Sequence, residues 1–259
     1  NMDLIKISKA LEPLARKAGE KIMEVYAKDP KAKFKGDGSP VTEADQAAEA
    51  IILPALMDVA PGIAIVSEEN AASHQFKATE KFFLVDPLDG TKEFLKRDNK
   101  GSFTVNIALI DRGVPVMGVV FAPALDRLFI GVIGKGATEK SGNKTVSLSV
   151  RNPTPDGVVA VASASHRDEA TDNWLAEYNI KDTISVGSSL KFCLIAAGEA
   201  DVYPRFGPTM EWDTGAGDAV LRAAGGKTTL PDSKEFIYGK PEYRNGAFVA
   251  WGGFAPSMT

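Results

Sequence analysis

The sequence predicts an α+β protein with a largely antiparallel N-terminal sheet and a smaller α/β C-terminal part. Three patterns carry that expectation. The opening segment repeats apolar residues every three or four positions, as an amphipathic helix does. Apolar runs at residues 103–110, 114–121 and 128–133 are separated by short breaks rich in Gly, Pro and Asp, the rhythm of a hairpin meander. Beyond Pro155, strand-like and helix-like stretches alternate, which marks an α/β layer.

Leu4, Ile7, Leu11, Leu14, Ala18, Ile22 and Val25 define one face of a long helix that should end before Asp29-Pro30. Residues 31–40 contain Lys35-Gly36-Asp37-Gly38-Ser39-Pro40 and show no hydrophobic period, so a mobile loop is expected. Thr42, with Asp45 three residues on, has the form of a helix N-cap with an acidic first turn. Ala47, Ile51, Leu53 and Leu56 supply the buried side of that helix, and Pro54 should kink or shorten it. Taken alone, Asp45 reads as compensation of the helix dipole. Residues 63–66 form a short apolar strand ending in Ser67-Glu68-Glu69-Asn70, and residues 82–85 form another ending in Asp86-Pro87-Leu88-Asp89. One acidic strand end is a weak signal; its recurrence is informative, because open sheets place ligands at strand ends.

After the meander, residues 134–144 read as turn-rich and 146–150 as a strand closing the sheet. Asn152-Pro153-Thr154-Pro155-Asp156-Gly157 reads as a linker dividing the chain into residues 1–155 and 156–259. The second part is expected to run strand 158–162, helix 168–178, strand 183–186, helix 190–197, strand 201–203 and helix 214–224, the last stopping before Gly225-Gly226.

Composition narrows the function classes. The chain has 259 residues, 44% of them hydrophobic, which is ordinary for a globular protein with a large core. Lys+Arg 30 against Asp+Glu 34, a net charge of -4, argues against a nucleic-acid binder that relies on a basic surface. The single cysteine, Cys193, has no internal disulfide partner, so a reducing, cytoplasmic setting is expected and the thiol is read as a small buried hydrophobe. No apolar run approaches the roughly 18 residues of a membrane span, so no stable membrane insertion is expected, although peripheral association stays open. The start lacks a signal-peptide profile, and Asn1 before Met2 reads as an expression remnant. Two histidines and one thiol leave no donor set for structural zinc.

The chemistry gathers at Asp86-Pro87-Leu88-Asp89-Gly90-Thr91. An apolar strand delivers two carboxylates into a turn where the Leu88 carbonyl can join them, and the amides after Gly90 suit an anion at a helix start. Glu68 and Asp213, the latter in Glu211-Trp212-Asp213-Thr214-Gly215-Ala216-Gly217, add further carboxylates. Each alone is a turn or a cap. Together they describe a hard-cation site able to bridge two ions, with Mg²⁺ the expected metal and phosphomonoester hydrolysis the matching chemistry.

Glu68-Glu69, Asp86-Pro87-Leu88-Asp89-Gly90-Thr91 and Trp212-Asp213-Thr214-Gly215-Ala216-Gly217 resemble, in order and spacing, the signature segments of the inositol monophosphatase superfamily of Mg²⁺-dependent, lithium-sensitive phosphatases. The resemblance implies a layered α/β/α/β/α sugar-phosphatase fold, with the N-terminal part binding metal and the C-terminal part completing the site. Four segments are closer to the bacterial 3'(2'),5'-bisphosphate nucleotidase branch: the run from Asp86 through Lys92-Glu93-Phe94, the run from Phe103 to Ile110, Gly187-Ser188-Ser189-Leu190-Lys191-Phe192-Cys193, and Tyr203-Pro204-Arg205-Phe206-Gly207-Pro208-Thr209. Inositol phosphatases typically carry Thr-Asn-Phe where this chain has Lys92-Glu93-Phe94. The stretch from Lys96 to Ser102 is longer than its usual counterpart.

By resemblance, Glu68, Asp86 and the Leu88 carbonyl hold one Mg²⁺, and Asp86, Asp89 and Asp213 hold the second. A third, weaker ion is implied at the flap formed by residues 35–42, with Asp37 and Asp45 as its candidates. Thr91 orients the attacking water with Asp45 or Glu68 as its acidic partner, acting by position because a free hydroxyl is a poor base. The Gly90 and Thr91 amides take the departing phosphate. Ser188, Lys191 and Arg205 surround a second phosphate and the ribose, and His166 lies near the base. The ordinary alternatives are a solvated helix face for Lys191 and a surface loop for His166. The implied reaction removes the 3'-phosphate of adenosine 3',5'-bisphosphate to leave AMP, with the sulfated precursor as a further substrate; the partner is thus a small nucleotide bisphosphate and not nucleic acid. Two alternatives stand beside it: an inositol or other small sugar phosphatase, and a non-catalytic nucleotide sensor.

Overall fold

The computed structural model describes residues 2–37, 40–164 and 166–256; Asn1, Gly38 and Ser39 of the polar loop, and Ser165 beside His166 lie outside the described residues. Helix α1 (Leu4–Ala27) begins at Asp3, whose side chain accepts from Lys6 N at 3.1 Å, and ends where Asp29 adopts a φ of 52° ahead of Pro30. Within the stretch expected to be a mobile loop, β1 (Lys33–Phe34) pairs antiparallel with β2 (Pro40–Val41). Helix α2 (Glu43–Val59) starts at the expected Thr42 cap and continues through Pro54 instead of stopping there.

The chain from Ala64 to Leu148 then builds one sheet. Its strands are β3 (Ala64–Ser67), β4 (Lys81–Asp89), β5 (Thr104–Asp111), β6 (Val114–Ala122), β7 (Arg127–Val132), β8 (Gly136–Ser141) and β9 (Lys144–Leu148), in spatial order β3-β4-β5-β6-β7-β8-β9. Only the β3–β4 pair among these is parallel, in line with the predicted largely antiparallel sheet. A 3-10 turn (Ala71–Gln75) joins β3 to β4, and helix α3 (Thr91–Lys96) follows β4. Residues 134–144 correct the sequence reading: they hold all of β8, because the glycines there mark the two hairpin ends and the strand between them is polar and partly exposed.

The second part runs β10 (Val158–Ser163), α4 (Glu169–Leu175), β11 (Ile180–Val186), α5 (Leu190–Ala196), β12 (Val202–Arg205), β13 (Thr209–Met210), α6 (Glu211–Ala223), β14 (Lys227–Thr229), β15 (Arg244–Asn245) and β16 (Phe248–Trp251). Five of these strands form a mixed sheet in the order β11-β10-β12-β16-β14. β10 is parallel to β11 and β12, while β16 is antiparallel to β12 and β14.

The elements stack in five layers, α/β/α/β/α. Leu11, Ala18 and Ile22 of α1 and Ile52 and Leu56 of α2 cover one face of the large sheet through Phe83, Val85, Ile107 and Leu109. The other face, presented by Phe82, Leu84, Ala108 and Val120, packs against α5 and α6, which also cover Val161, Tyr203 and Phe248 of the smaller sheet. Leu175 and Trp174 of α4 close the outer side against Val158, Val202 and Trp251. β4 is thus buried on both faces, which is why it reads as an unbroken apolar run with no alternation.

Two sheet glycines let α6 approach. A Cβ at Gly118 would lie 2.4 Å from Ala216 O, and one at Gly131 would lie 2.7 Å from Val220 Cα. With α6 pressed this close, its first turn, which carries Asp213, sits over the C-terminal end of β4. Among the described residues, no helix is long and apolar enough to cross a membrane.

Candidate functional site

The site starts from an irregularity in β4. Asp86 stands opposite Asn106, yet Asp89 stands opposite Thr104, so three steps along β4 match two along β5. In a regular strand, residues three apart point to opposite faces; the bulge cancels that and turns both carboxylates to one side. Gly90 follows with a φ of 88°, and a Cβ there would come within 3.3 Å of Phe103 Cα and Ser188 Cβ, so both conformation and space favour glycine. Its carbonyl accepts from Phe94 N at 2.9 Å, and α3 begins.

Glu68 from the end of β3, Asp86 from β4 and Asp213 from α6 place ligand oxygens within 4.8 Å of one another. Asp86 Oδ1 accepts from Leu88 N at 3.3 Å, whereas the buried Oδ2 has no hydrogen-bond partner among the described residues. Burial, then repulsion from Glu68 and Asp89, holds the Asp86 carboxyl well above the usual range. Burial also raises Glu68, lifts Asp213 to about 6 with Glu68 adding to the effect, and lifts Asp89 to about 7 with Asp213 adding to it. Buried carboxylates that repel one another and leave one oxygen unpaired are a poor arrangement for an empty fold and a fitting one for a hard cation. An ammonium partly answers the charge: Lys35 Nζ lies 2.7 Å from Glu69 Oε1 and 3.4 Å from Glu68 Oε1.

Asp89 Oδ2 is held by Ser189 N at 2.7 Å. Ser189 Oγ donates to Asn106 Oδ1 at 2.5 Å and lies 2.8 Å from Thr104 Oγ1, so a buried polar network ties the loop before α5 to β5 beneath the carboxylates. Thr91 Oγ1 donates to Asp45 Oδ1 at 3.0 Å. The other Asp45 oxygen accepts from Thr42 N at 2.8 Å and Thr42 Oγ1 at 2.9 Å. Of the two acidic partners left open for Thr91, the hydrogen bond goes to Asp45. Burial lifts that carboxyl to about 6 against the opposing Thr42 amide.

On the other side of Asp89 lies a cationic wall. Lys191 is 2% exposed, its Nζ donating to Val186 O at 3.2 Å and lying 5.0 Å from the Tyr203 ring centre. Burial pushes it down to about 8, with Asp89 pulling the other way. The solvated-face alternative for Lys191 fails because α5 lies between two sheets and is buried all round. Arg205 is buried with Nε 3.3 Å from Gly207 O and Nη2 3.3 Å from Pro208 O. His166 lies exposed in the loop after β10, the surface-loop alternative, with its Nδ1 3.4 Å from Ser163 Oγ; partial desolvation, then the charges of Arg205 and Lys92, push it down to about 4. Ser188 adopts a φ of 62° and accepts from Leu190 N at 3.3 Å. Asp37 stands exposed in the β1–β2 connection. Arg97 in the long 96–102 segment is anchored on the end of α1, donating to Tyr26 O at 2.7 Å over the Tyr26 ring. Cys193 is buried, as expected.

Sequence reasoning missed Lys35, Asn106 and Ser189. Asn106 left a signal, a polar residue inside an apolar strand. Lys35 left none, because a loop lysine reads as solvated until the loop is seen to fold onto the carboxylates.

Residues 3–253 match the profile of the inositol monophosphatase family. The chain is 47% identical over 215 residues to the 3'(2'),5'-bisphosphate nucleotidase CysQ of Salmonella typhimurium, covering 82% of this chain and 85% of that protein. It is 46% identical over 215 residues to the protein of the same name from Escherichia coli K12, with the same coverage. Among solved structures, CysQ from Bacteroides thetaiotaomicron, a bacterial member of the inositol monophosphatase family, superposes with a TM-score of 0.80 at 39% identity over 95% of this chain and 96% of that one. Inositol monophosphatase from Anabaena superposes with a TM-score of 0.73 at 28% identity over 96% of this chain and 90% of that one.

Proposed function

The chain belongs to the inositol monophosphatase family, whose members are metal-dependent phosphatases, and from that premise we propose that it hydrolyses the 3'-phosphate of adenosine 3',5'-bisphosphate to AMP and phosphate. The observation that carries the choice of substrate is the pair of buried cations, Lys191 next to Asp89 and Arg205, whose charge acts on Lys191 and Asp213. Two buried cations next to the site call for a second anionic group on the substrate, which a nucleotide bisphosphate has and an inositol monophosphate lacks. The sulfated precursor presents the same 3'-phosphate and is a further substrate in this reading. The single thiol supports a cytoplasmic setting, and the net charge of -4 supports a small molecule over nucleic acid.

Glu68, Asp86 and the Leu88 carbonyl would hold one divalent ion, and Asp86, Asp89 and Asp213 a second; an all-oxygen donor set suits Mg²⁺. Asp45 and Asp37 are the candidates for a third. When bound, such ions supply Lewis acidity, acidifying a water and neutralising charge on the departing oxygen. The chain's own part is positional. Because the Thr91 proton is directed to Asp45 Oδ1 at 3.0 Å, with Leu88 O a more distant acceptor at 3.4 Å, its oxygen is left to accept from a water and aim it, while Thr42 fixes Asp45 from the far side. The Gly90 and Thr91 amides receive the phosphate, and Ser188, Lys191, Arg205 and His166 bind the second phosphate, ribose and base.

The test is phosphate release in Mg²⁺ from adenosine 3',5'-bisphosphate beside inositol 1-phosphate. The nucleotide is expected to be favoured by at least ~10-fold in kcat/KM, corresponding to one unreciprocated buried charge interaction. Preference for inositol 1-phosphate moves the assignment to the sugar phosphatases, and calorimetric nucleotide binding without release moves it to a sensor. In the same assay Thr91→Ala is expected to lower kcat by ~10²-fold with little change in KM, since it removes a group that aims the water and does not hold substrate.

A further inference from the structure

His74 and Trp212 form a contact that spans the two halves of the site and takes part in none of the chemistry above. His74, on the 3-10 turn after β3, lies with Nε2 2.8 Å from Ser67 O. A carbonyl only accepts, so the ring proton sits on Nε2. The imidazole stacks on the Trp212 indole, ring centres 4.4 Å apart and planes 21° from parallel. Ser67 is the residue before Glu68, and Trp212 is the residue before Asp213. The turn itself is fastened: Ser73 Oγ accepts from Ser67 N at 3.0 Å and donates to Asn70 O at 2.6 Å. Trp212 is buried as well, 5% exposed. One imidazole thus joins the strand end that carries Glu68 to the helix start that carries Asp213.

We propose that His74 is a positioning residue for the cation site, a clamp that sets the separation of Glu68 and Asp213. Three carboxylates with oxygens within 4.8 Å repel one another, and repulsion opens the cluster along the line that separates β3 from α6. The ring ties the two elements together, by a hydrogen bond to the end of β3 and a stacked indole at the start of α6. Its partners are Ser67 and Trp212, the residues before Glu68 and Asp213, so it acts through the ligands' neighbours and its effect falls on how well the site is preformed for a cation.

This inference rests on the metal reading of the three carboxylates, and the experiment separates the two. The full chain, stripped with EDTA, is titrated with Mg²⁺ by calorimetry, and its Tm is recorded without metal. In His74→Ala the Mg²⁺ Kd is expected to rise about tenfold, the scale of losing a partner that orients a metal ligand. The metal-free Tm should stay within a few degrees of wild type, and kcat should recover at saturating Mg²⁺, which separates positioning from a general loss of structure. His74→Gln keeps a donor without the ring and His74→Phe keeps the ring without the donor; each should fall between wild type and alanine. Should His74→Ala fail to fold, those two carry the test, with a weaker Kd expected in both. An unchanged Kd in the variants that fold overturns the clamp. A wild-type chain that binds no Mg²⁺ overturns the metal reading and the clamp with it.

Discussion

Asp86→Asn is expected to cut phosphate release by ~10³-fold or more while raising the Tm of the metal-free protein. The first effect follows from the position of Asp86: its unpaired Oδ2 lies in the carboxylate cluster, and it is the residue proposed to serve both ions. A partner behind a ligand is worth 10–100-fold, so a shared ligand should be worth more. The second effect follows from the cost of the arrangement. Burial and the charges of Glu68 and Asp89 oppose ionisation of Asp86, so without a cation the ionised carboxylate works against the fold. An amide of the same shape removes that charge and places a donor among the neighbouring carboxylate oxygens. Sites held ready for charge are commonly stabilised by mutations that abolish function. Steady-state assays and thermal melts in EDTA check the pair; wild-type turnover, or a lower Tm in EDTA, contradicts this account of the site.

Chelation should abolish turnover and expose a pH dependence that Mg²⁺ reverses. Folding lifts Asp213 to about 6 and Asp89 to about 7 from 3.8. A carboxyl with a raised folded pKa binds protons better in the folded state, so its contribution is full below the unfolded value and is lost as pH rises through the folded one. In EDTA these groups draw stability down between about pH 4 and pH 7. His166, lowered from 6.5 to about 4, works in the opposite direction over that range, weakened by its partial exposure. The difference between melts with and without Mg²⁺ cancels that background. A cation binds the ionised carboxylates and must displace protons below pH 6, so the Mg²⁺-induced rise in Tm should be small at pH 5 and grow through pH 7. At a hundredfold excess over Kd the gain is about 2.7 kcal/mol, or about 5–10 °C for a chain of this size. A Mg²⁺ effect that is flat in pH, or absent at pH 7.5, would count against carboxylates as the ligands.

Much of the molecule was open to reading in one dimension because the relevant spacings are local. The 3.6-residue period of α1, the Thr42 cap with Asp45, the meander from β5 to β7, and the turn from Asp86 to Thr91 each depend on residues a few positions apart, where covalent geometry leaves little choice. Two later strands escaped for a different reason: β14 and β16 are short, and their place in the sheet depends on partners far along the chain. β8 escaped because its partly exposed, polar residues carry no alternating pattern.

What the sequence by itself determined, then, is the fold class and the identity of the acidic residues that gather at the proposed cation site; what only the tertiary structure decided is who faces whom. Thr91 had two acidic partners available, and the packing of α2 gave it to Asp45. Lys191, expected to bind substrate, had a solvated helix face as its alternative until α5 was seen buried along its whole length. Lys35 was a loop lysine until the β1–β2 hairpin brought it onto Glu68 and Glu69. The physical reason is common to all three. Hydrophobic burial is non-directional and decides which layers meet, and only after the layers have met do charge and hydrogen bonding act between residues whose distance in sequence carries no information about their distance in space.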